Sequence, residues 1–83
     1  MIIVWYNKNN HRKETSITSI EGIECYTDNA LFGIRIRKDL VLFGGDLGTF
    51  QVKENRDAVC RDIKKALENN DSEFEFRKSF YER

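Results

Sequence analysis

Apolar positions along this chain change their spacing from one stretch to the next, and each spacing predicts a different element. From Ile2 to Asn7 they run almost unbroken, with β-branched residues followed by Trp5 and Tyr6, which predicts a strand buried on both sides or set at an interface, Trp5 serving as a core anchor. Lys8 to Glu14, KNNHRKE, is wholly polar and reads as a solvated loop. Thr15 to Thr27 carries a second strand, entered through a Ser/Thr-rich stretch, and Gly22 marks a bulge or bend in it.

The stretch from Asp28 to Asn69 organises the rest. Asp28-Asn29, Lys38-Asp39 and Gly45-Asp46 read as two-residue turns, since Gly, Asn and Asp accept the positive φ that tight hairpins require. Opposed residues in a hairpin share a face, so these turns set a register: Cys25 against Phe32, Ile23 against Ile34, Ile34 against Phe43, Ile36 against Val41, and Val41 against Phe50. One face then collects Ile23, Cys25, Phe32, Ile34, Ile36, Val41, Phe43, Phe50 and Val52, all apolar. The other collects Glu24, Tyr26, Leu31, Arg35, Arg37, Leu40, Leu42, Leu47, Thr49 and Gln51.

Beyond the sheet, Val59, Cys60, Ile63, Ala66 and Leu67 recur at three- and four-residue intervals within Glu54 to Asn69, with charged residues filling the remaining arc. This predicts an amphipathic helix with Asn55 as N-cap and Asp57–Arg61 as an i,i+4 pair. At about 1.5 Å per residue the helix is near 24 Å long, enough to cross four or five strands and to cover one face only. In the tail, Phe74, Phe76 and Phe80 alternate as a strand does, although Ser72 followed by Glu75 also fits the capping box of a short helix. The strand is favoured, and all four tail aromatics, Tyr81 included, are expected to pack. The fold class is therefore α+β: an antiparallel meander of four to five strands, one C-terminal helix packed on one face, and a short terminal strand after it. Residues 1–83 read as a single small domain.

Composition narrows the functional classes. Fourteen basic and fourteen acidic residues cancel, so no global field holds the protein on nucleic acid or an anionic membrane. Met1 to Tyr6 is too short for a membrane span and lacks the basic lead of a signal peptide, so a cytoplasmic location is expected. A chain this short buries only somewhat more than about 60% of its unfolded surface, and self-association would add stability.

Candidate chemistry is sparse. The register turns Cys25 and Cys60 inward, where they are read as free thiols of low reactivity that could lie near one another, a disulfide or redox pair being the alternative. His11, the only histidine, has no acidic or cysteine partner at a recognisable spacing, so no metal or general-base role is expected of it. Gly44, Gly45 and Gly48 lack the Lys-Ser or Lys-Thr of a phosphate-binding loop and read as turn glycines. No catalytic residue, cofactor or metal site is expected, and the chain is read as a non-enzyme.

A helix over the apolar face leaves the other face to be explained. Leucine mixed with arginine and tyrosine is the composition of protein interfaces, where Arg and aromatic anchors carry much of the energy. Tyr26, Arg35, Arg37, Leu40 and Leu42 are thus the suspected partner-binding residues, for another protein or for a second copy of this chain. The plain alternative is that the tail or the N-terminal strand covers this face as ordinary core. A second functional class uses Arg35 and Arg37 on nucleic-acid phosphates, with Tyr26 stacking a base.

One motif carries a resemblance. Leu47-Gly48-Thr49-Phe50, followed by Glu54, Ala58, Val59 and Ile63, resembles the strand-to-helix ending of very small proteins of bacteriophages and mobile elements, over about 17 residues. The resemblance implies a small cytoplasmic meander-plus-helix fold and an accessory role, binding and inhibiting or modulating a host protein. It carries no functional residue, and the apolar N-terminal strand and phenylalanine-rich tail depart from it.

Overall fold

The N-terminal apolar run becomes a central strand because its two neighbours arrive from opposite ends of the chain. In the computed structural model, which describes residues 1–7, 9–41 and 45–82, Ile2–Tyr6 is β1, Arg12–Ser16 is β2 and Glu73–Glu75 is β6, in the sheet order β2-β1-β6. β1 pairs antiparallel with β2, Val4 opposite Glu14, and parallel with β6, Val4 opposite Glu75. Ile3 and Trp5 point into the core while Val4 is buried on the other side, as the unbroken run implied.

The β1–β2 connection is tighter than the polar stretch suggested. Asn7 Oδ1 accepts the backbone N–H groups of Asn9 and His11, each at 2.9 Å, and Asn10 takes φ 61°. An Asx-type turn of this kind lets the chain reverse within a few residues, so Arg12 to Glu14 pair as strand instead of forming loop.

Ile23–Asp28 (β3), Leu31–Ile36 (β4) and Asp46–Phe50 (β5) form the second sheet, an antiparallel meander. The first turn falls one residue later than expected, at Asn29-Ala30, both with positive φ, so Cys25 opposes Ile34 and Ile23 opposes Ile36. Moving the turn by one residue shifts the register by two, and an even shift leaves every side chain on its predicted face. The Lys38-Asp39 turn forms, closed by Leu40 N–H to Arg37 O at 3.0 Å. The strand expected after it does not oppose β4: Leu40 lies in the turn, Val41 in irregular chain, and Leu42 and Phe43 fall outside the described residues. The backbone explains why. Ile36 N–H is taken by Gly45 O at 2.8 Å and Arg37 N–H by Gly22 O at 2.9 Å, and β5 occupies β4's free edge, with Phe32 opposite Phe50. Gly45-Asp46 is accordingly a strand entry and not a hairpin turn.

A bulge then reverses one expectation. Ile34 opposes Gly48 but Arg35 opposes Asp46, which leaves Leu47 as the extra residue beside Gly48 at φ +155°. An inserted residue breaks the two-residue alternation. Leu47, expected on the outer face, therefore packs in the core.

The helix, α1, spans Lys53–Glu68, within one residue of its predicted bounds. Its N-cap is Val52 and not Asn55, whose N–H donates to Val52 O at 3.1 Å. Asp57 reaches Lys53 and Arg56 instead of Arg61. At the far end Asn70 takes φ 57°, and Asp71 N–H bonds Ala66 O while Asn70 N–H bonds Leu67 O, a Schellman closure that stops the helix. α1 lays Val59 and Ile63 on Ile34, Ile36, Leu47 and Phe50, and Ile3, Trp5, Ile17 and Phe76 complete one core shared by both sheets. The protein is α+β. Among the described residues no helix is long and apolar enough to cross a membrane.

The tail is a strand at Glu73–Glu75 and a 3-10 turn at Lys78–Phe80. Phe76 is buried and Phe74 and Tyr81 pack against the core, but Phe80 stands 58% exposed, contrary to expectation. The 3-10 turn brings Tyr81 onto Phe76 and sends Phe80 outward.

Candidate functional site

Alternation along β3 and β4 puts Glu24, Tyr26, Leu31, Gly33 and Arg35 on the sheet face opposite the helix. Of these only Gly33 is buried, and what covers it is Tyr26. Tyr26 opposes Gly33 across the β3–β4 pair, and with no Cβ in the way its ring lies flat over β4. The phenol reaches as far as β5, donating to the Asp46 carboxylate, whose oxygens lie at 2.8 and 2.9 Å. Arg35 stands over the ring at 4.8 Å and donates through Nε to Glu24 at 2.9 Å. One aromatic side chain thereby straps three strands together. Burial, followed by the hydrogen bond to Asp46, pushes the Tyr26 phenol up to about 12.

Past the end of β4, Arg37 donates its N–H to Gly22 O and Leu40 lies in the turn beyond, beside the 3-10 turn Ile20–Gly22. Arg37 grips Asp39 with two bonds, Nε at 3.0 Å and Nη2 at 2.8 Å. Leu40 is 46% exposed, and its Cδ1 lies 3.2 Å from where a Cβ on Gly22 would stand. Of the five residues suspected from sequence, Tyr26 and Arg35 are thus in contact, Arg37 and Leu40 sit beyond them, and Leu42 lies outside the described residues. The N-terminal strand and the tail belong to the other sheet. Sequence reasoning missed Gly33 and Asp46. A glycine inside a strand otherwise rich in large side chains was the available signal, because it marks a place where something approaches closely.

Both arginines of this face are already paired with carboxylates. The same holds in the cleft of about 680 Å³ between the β1–β2 turn and β5, where Arg77 meets Glu75 and the Tyr6 hydroxyl, Lys78 meets Glu82, and Asp46 is held by Tyr26.

On the helix side, Cys25 and Cys60 meet, with Sγ atoms 2.8 Å apart. Cys25 faces the helix as its register predicted, yet it is exposed, because β3 is the edge strand and α1 packs chiefly on β4 and β5. Cys60 is half-buried, and burial together with the Cys25 contact pushes its thiol up to about 12.

The strap makes Gly33→Ala informative. A Cβ at residue 33 would fall 2.1 Å from Tyr26 Cζ, so the ring must swing into solvent and lose Asp46 and Arg35. Because Tyr26 is already half-exposed, the expected cost is modest, about 1–2 kcal/mol. The sharper readout is spectroscopic: the phenolate transition near 12 in a 295 nm titration should move down toward 10, while that of Tyr81, held higher still by burial and its bond to Asp62, should stay in place. A raised pKa also means that Tyr26 favours the fold fully below the free-phenol range and ceases to do so as pH rises through about 12. An unmoved phenol in the variant would show that Tyr26 is not held over Gly33.

Compared with protein-family models, with curated proteins and with solved structures, the chain matches none.

Proposed function

We propose that this chain is a non-enzymatic protein-binding module that meets its partner through the uncovered face of β3, β4 and β5. The observation that carries the reading is the Tyr26–Arg35 stack, half-exposed yet already ordered over Gly33. Tyrosine and arginine are the side chains most often found as interface anchors, and anchors fixed before binding lose little entropy when the partner arrives. Exposed leucines, Leu31 at one end and Leu40 at the other, supply apolar contact beside them.

Size bounds the strength. From Leu31 to Ile36 β4 runs roughly 17 Å, and three strands span about 10 Å, so the face lies at the small, transient end of specific interfaces. Affinities near the micromolar range are expected unless neighbouring loops join in. The partner is a second copy of this chain or another protein, and the resemblance to small phage and mobile-element proteins favours a host protein whose activity is modulated. Nucleic acid is the weaker reading, because Arg35 and Arg37 each already hold a carboxylate, Glu24 and Asp39.

A photo-crosslinking residue in place of Leu31 or Leu40, with one in place of Lys64 as control, tests the face. Adducts should form from residues 31 and 40 and not from 64, and Tyr26→Ala or Arg35→Ala should weaken binding about tenfold or more. Light scattering of the free protein decides whether the adduct partner is a second copy. Equal crosslinking from all three positions would overturn the assignment, and a mobility shift with oligonucleotides that falls steeply with salt would favour nucleic acid instead.

A further inference from the structure

We propose that Cys25 and Cys60 form a reversible dithiol–disulfide switch, in which a peroxide oxidises the exposed Cys25 and Cys60 then closes the bond between β3 and α1. The two residues lie 35 positions apart, so only the fold brings them together, and it brings their sulfurs into contact at 2.8 Å. Contact between two thiols where one is exposed contributes little as packing, since little apolar surface leaves water there. As chemistry the arrangement is asymmetric. The sulfur that a dissolved oxidant can reach is on the edge strand, and the sulfur beside it is on the helix, half-shielded.

The steps balance. The Cys25 sulfur attacks one peroxide oxygen, the O–O bond breaks, and the displaced hydroxide takes the thiol proton to leave as water, giving Cys25 sulfenic acid. The Cys60 sulfur then attacks the Cys25 sulfur, the S–O bond breaks, and the departing hydroxide takes the Cys60 proton. Two thiols and one hydrogen peroxide thus become one disulfide and two waters, with two electrons passing from sulfur to oxygen. A dithiol reductant reverses the change by exchange. Cys60, held protonated by burial and by the Cys25 thiol, is a poor first nucleophile toward peroxide, and oxidation of Cys25 removes that thiol's share of the shift before Cys60 attacks in its turn. Oxidation ties the edge strand to the helix and encloses β4, β5 and the start of α1 in one covalent loop.

The test uses the full chain, reduced and then treated with hydrogen peroxide. Intact mass should fall by about 2 Da, and both thiols should become inaccessible to iodoacetamide in denaturant, without a dimer on a non-reducing gel, until dithiothreitol restores them. Closing a loop of this length should raise the unfolding midpoint by roughly 10 °C or more. In Cys60→Ser, peroxide should leave a sulfenic acid on Cys25 that dimedone traps, whereas Cys25→Ser should keep Cys60 alkylatable after the same treatment. Two thiols still free in the peroxide-treated wild type would overturn the proposal, as would a bond formed only between chains. Both of those readings come from the unsubstituted protein, so they stand whether or not the variants fold.

Discussion

Phe76→Ala should cost about 3–5 kcal/mol, the range for emptying a buried aromatic site. Phe76 is 3% exposed and meets Phe50 edge to face, with ring centroids 6.4 Å apart at 83°, while Tyr81 stacks on its other side at 6.0 Å. Its own N–H donates to Val4 O at 2.8 Å and extends the β1–β6 pairing by one bond. The side chain therefore joins three things at once: the tail, the first sheet through β1, and the second sheet through Phe50. For a small domain whose net stability is of order 5–15 kcal/mol, the loss is a large fraction of the whole. Urea unfolding measures it. The Ile2 amide, which donates to Ser72 O, should also exchange faster as β6 comes loose. Phe80→Ala is the control: at 58% exposure it should change stability by less than about 0.5 kcal/mol. A Phe76→Ala loss as small as that of Phe80→Ala would mean that the tail is not part of the core.

The contrast between Phe76 and Phe80 shows where the sequence was legible and where it was not. Period alone located α1 to within one residue, because sixteen positions of consistent amphipathicity outweigh any local ambiguity. It also located β1 and the helix-facing side of β3 and β4, although Val41, expected on that face, lies in irregular chain and Val52, also expected there, is the helix N-cap and 48% exposed. That face survived a wrong turn position only because the error shifted the register by two, and a shift by one would have inverted it. Three features lay outside what period can show. Strand partners separated by the whole chain, β1 with β6, leave no local mark. A bulge such as that at Leu47 is an exception to alternation that only the two strands together define. Edge position decides exposure, and it is why Cys25 faces the helix as expected yet stays open to solvent. Of the candidate face, the placing of Tyr26 and Arg35 on one side of the sheet was legible, but its central device was not. Gly33 and Asp46 matter only because Tyr26 lies over one and reaches the other.

Arg56→Met should be nearly as damaging, at about 2–4 kcal/mol, although helical periodicity assigns Arg56 to the polar arc. It is 6% exposed, with Nη1 donating to Tyr26 O at 3.1 Å and to Gly33 O at 3.3 Å, and Nε donating to Asp57 at 2.8 Å. Tyr26 and Gly33 oppose each other across β3 and β4, so one guanidinium ties the helix to the two strands that carry the candidate face. The position lies a full turn before Cys60, on the stripe of α1 that runs beside the edge strand. Methionine there keeps the stem's packing but leaves two carbonyls and a carboxylate short of a donor. Arg56→Lys should recover only part of the loss, since an ammonium cannot reproduce the planar fork. The pH dependence separates the contributions. The bond from Arg56, then that from Lys53, holds the Asp57 carboxyl below its usual range. A depressed carboxyl stabilises the fold above the ordinary carboxylate range and ceases to as pH falls through its folded value, so the gap between wild type and Arg56→Met should narrow on acidification. Urea unfolding at neutral pH and near pH 3 gives both numbers. A gap that stays constant assigns the whole effect to the carbonyl bonds, and a gap below about 1 kcal/mol at neutral pH would show that the buried guanidinium does not hold the helix to the sheet.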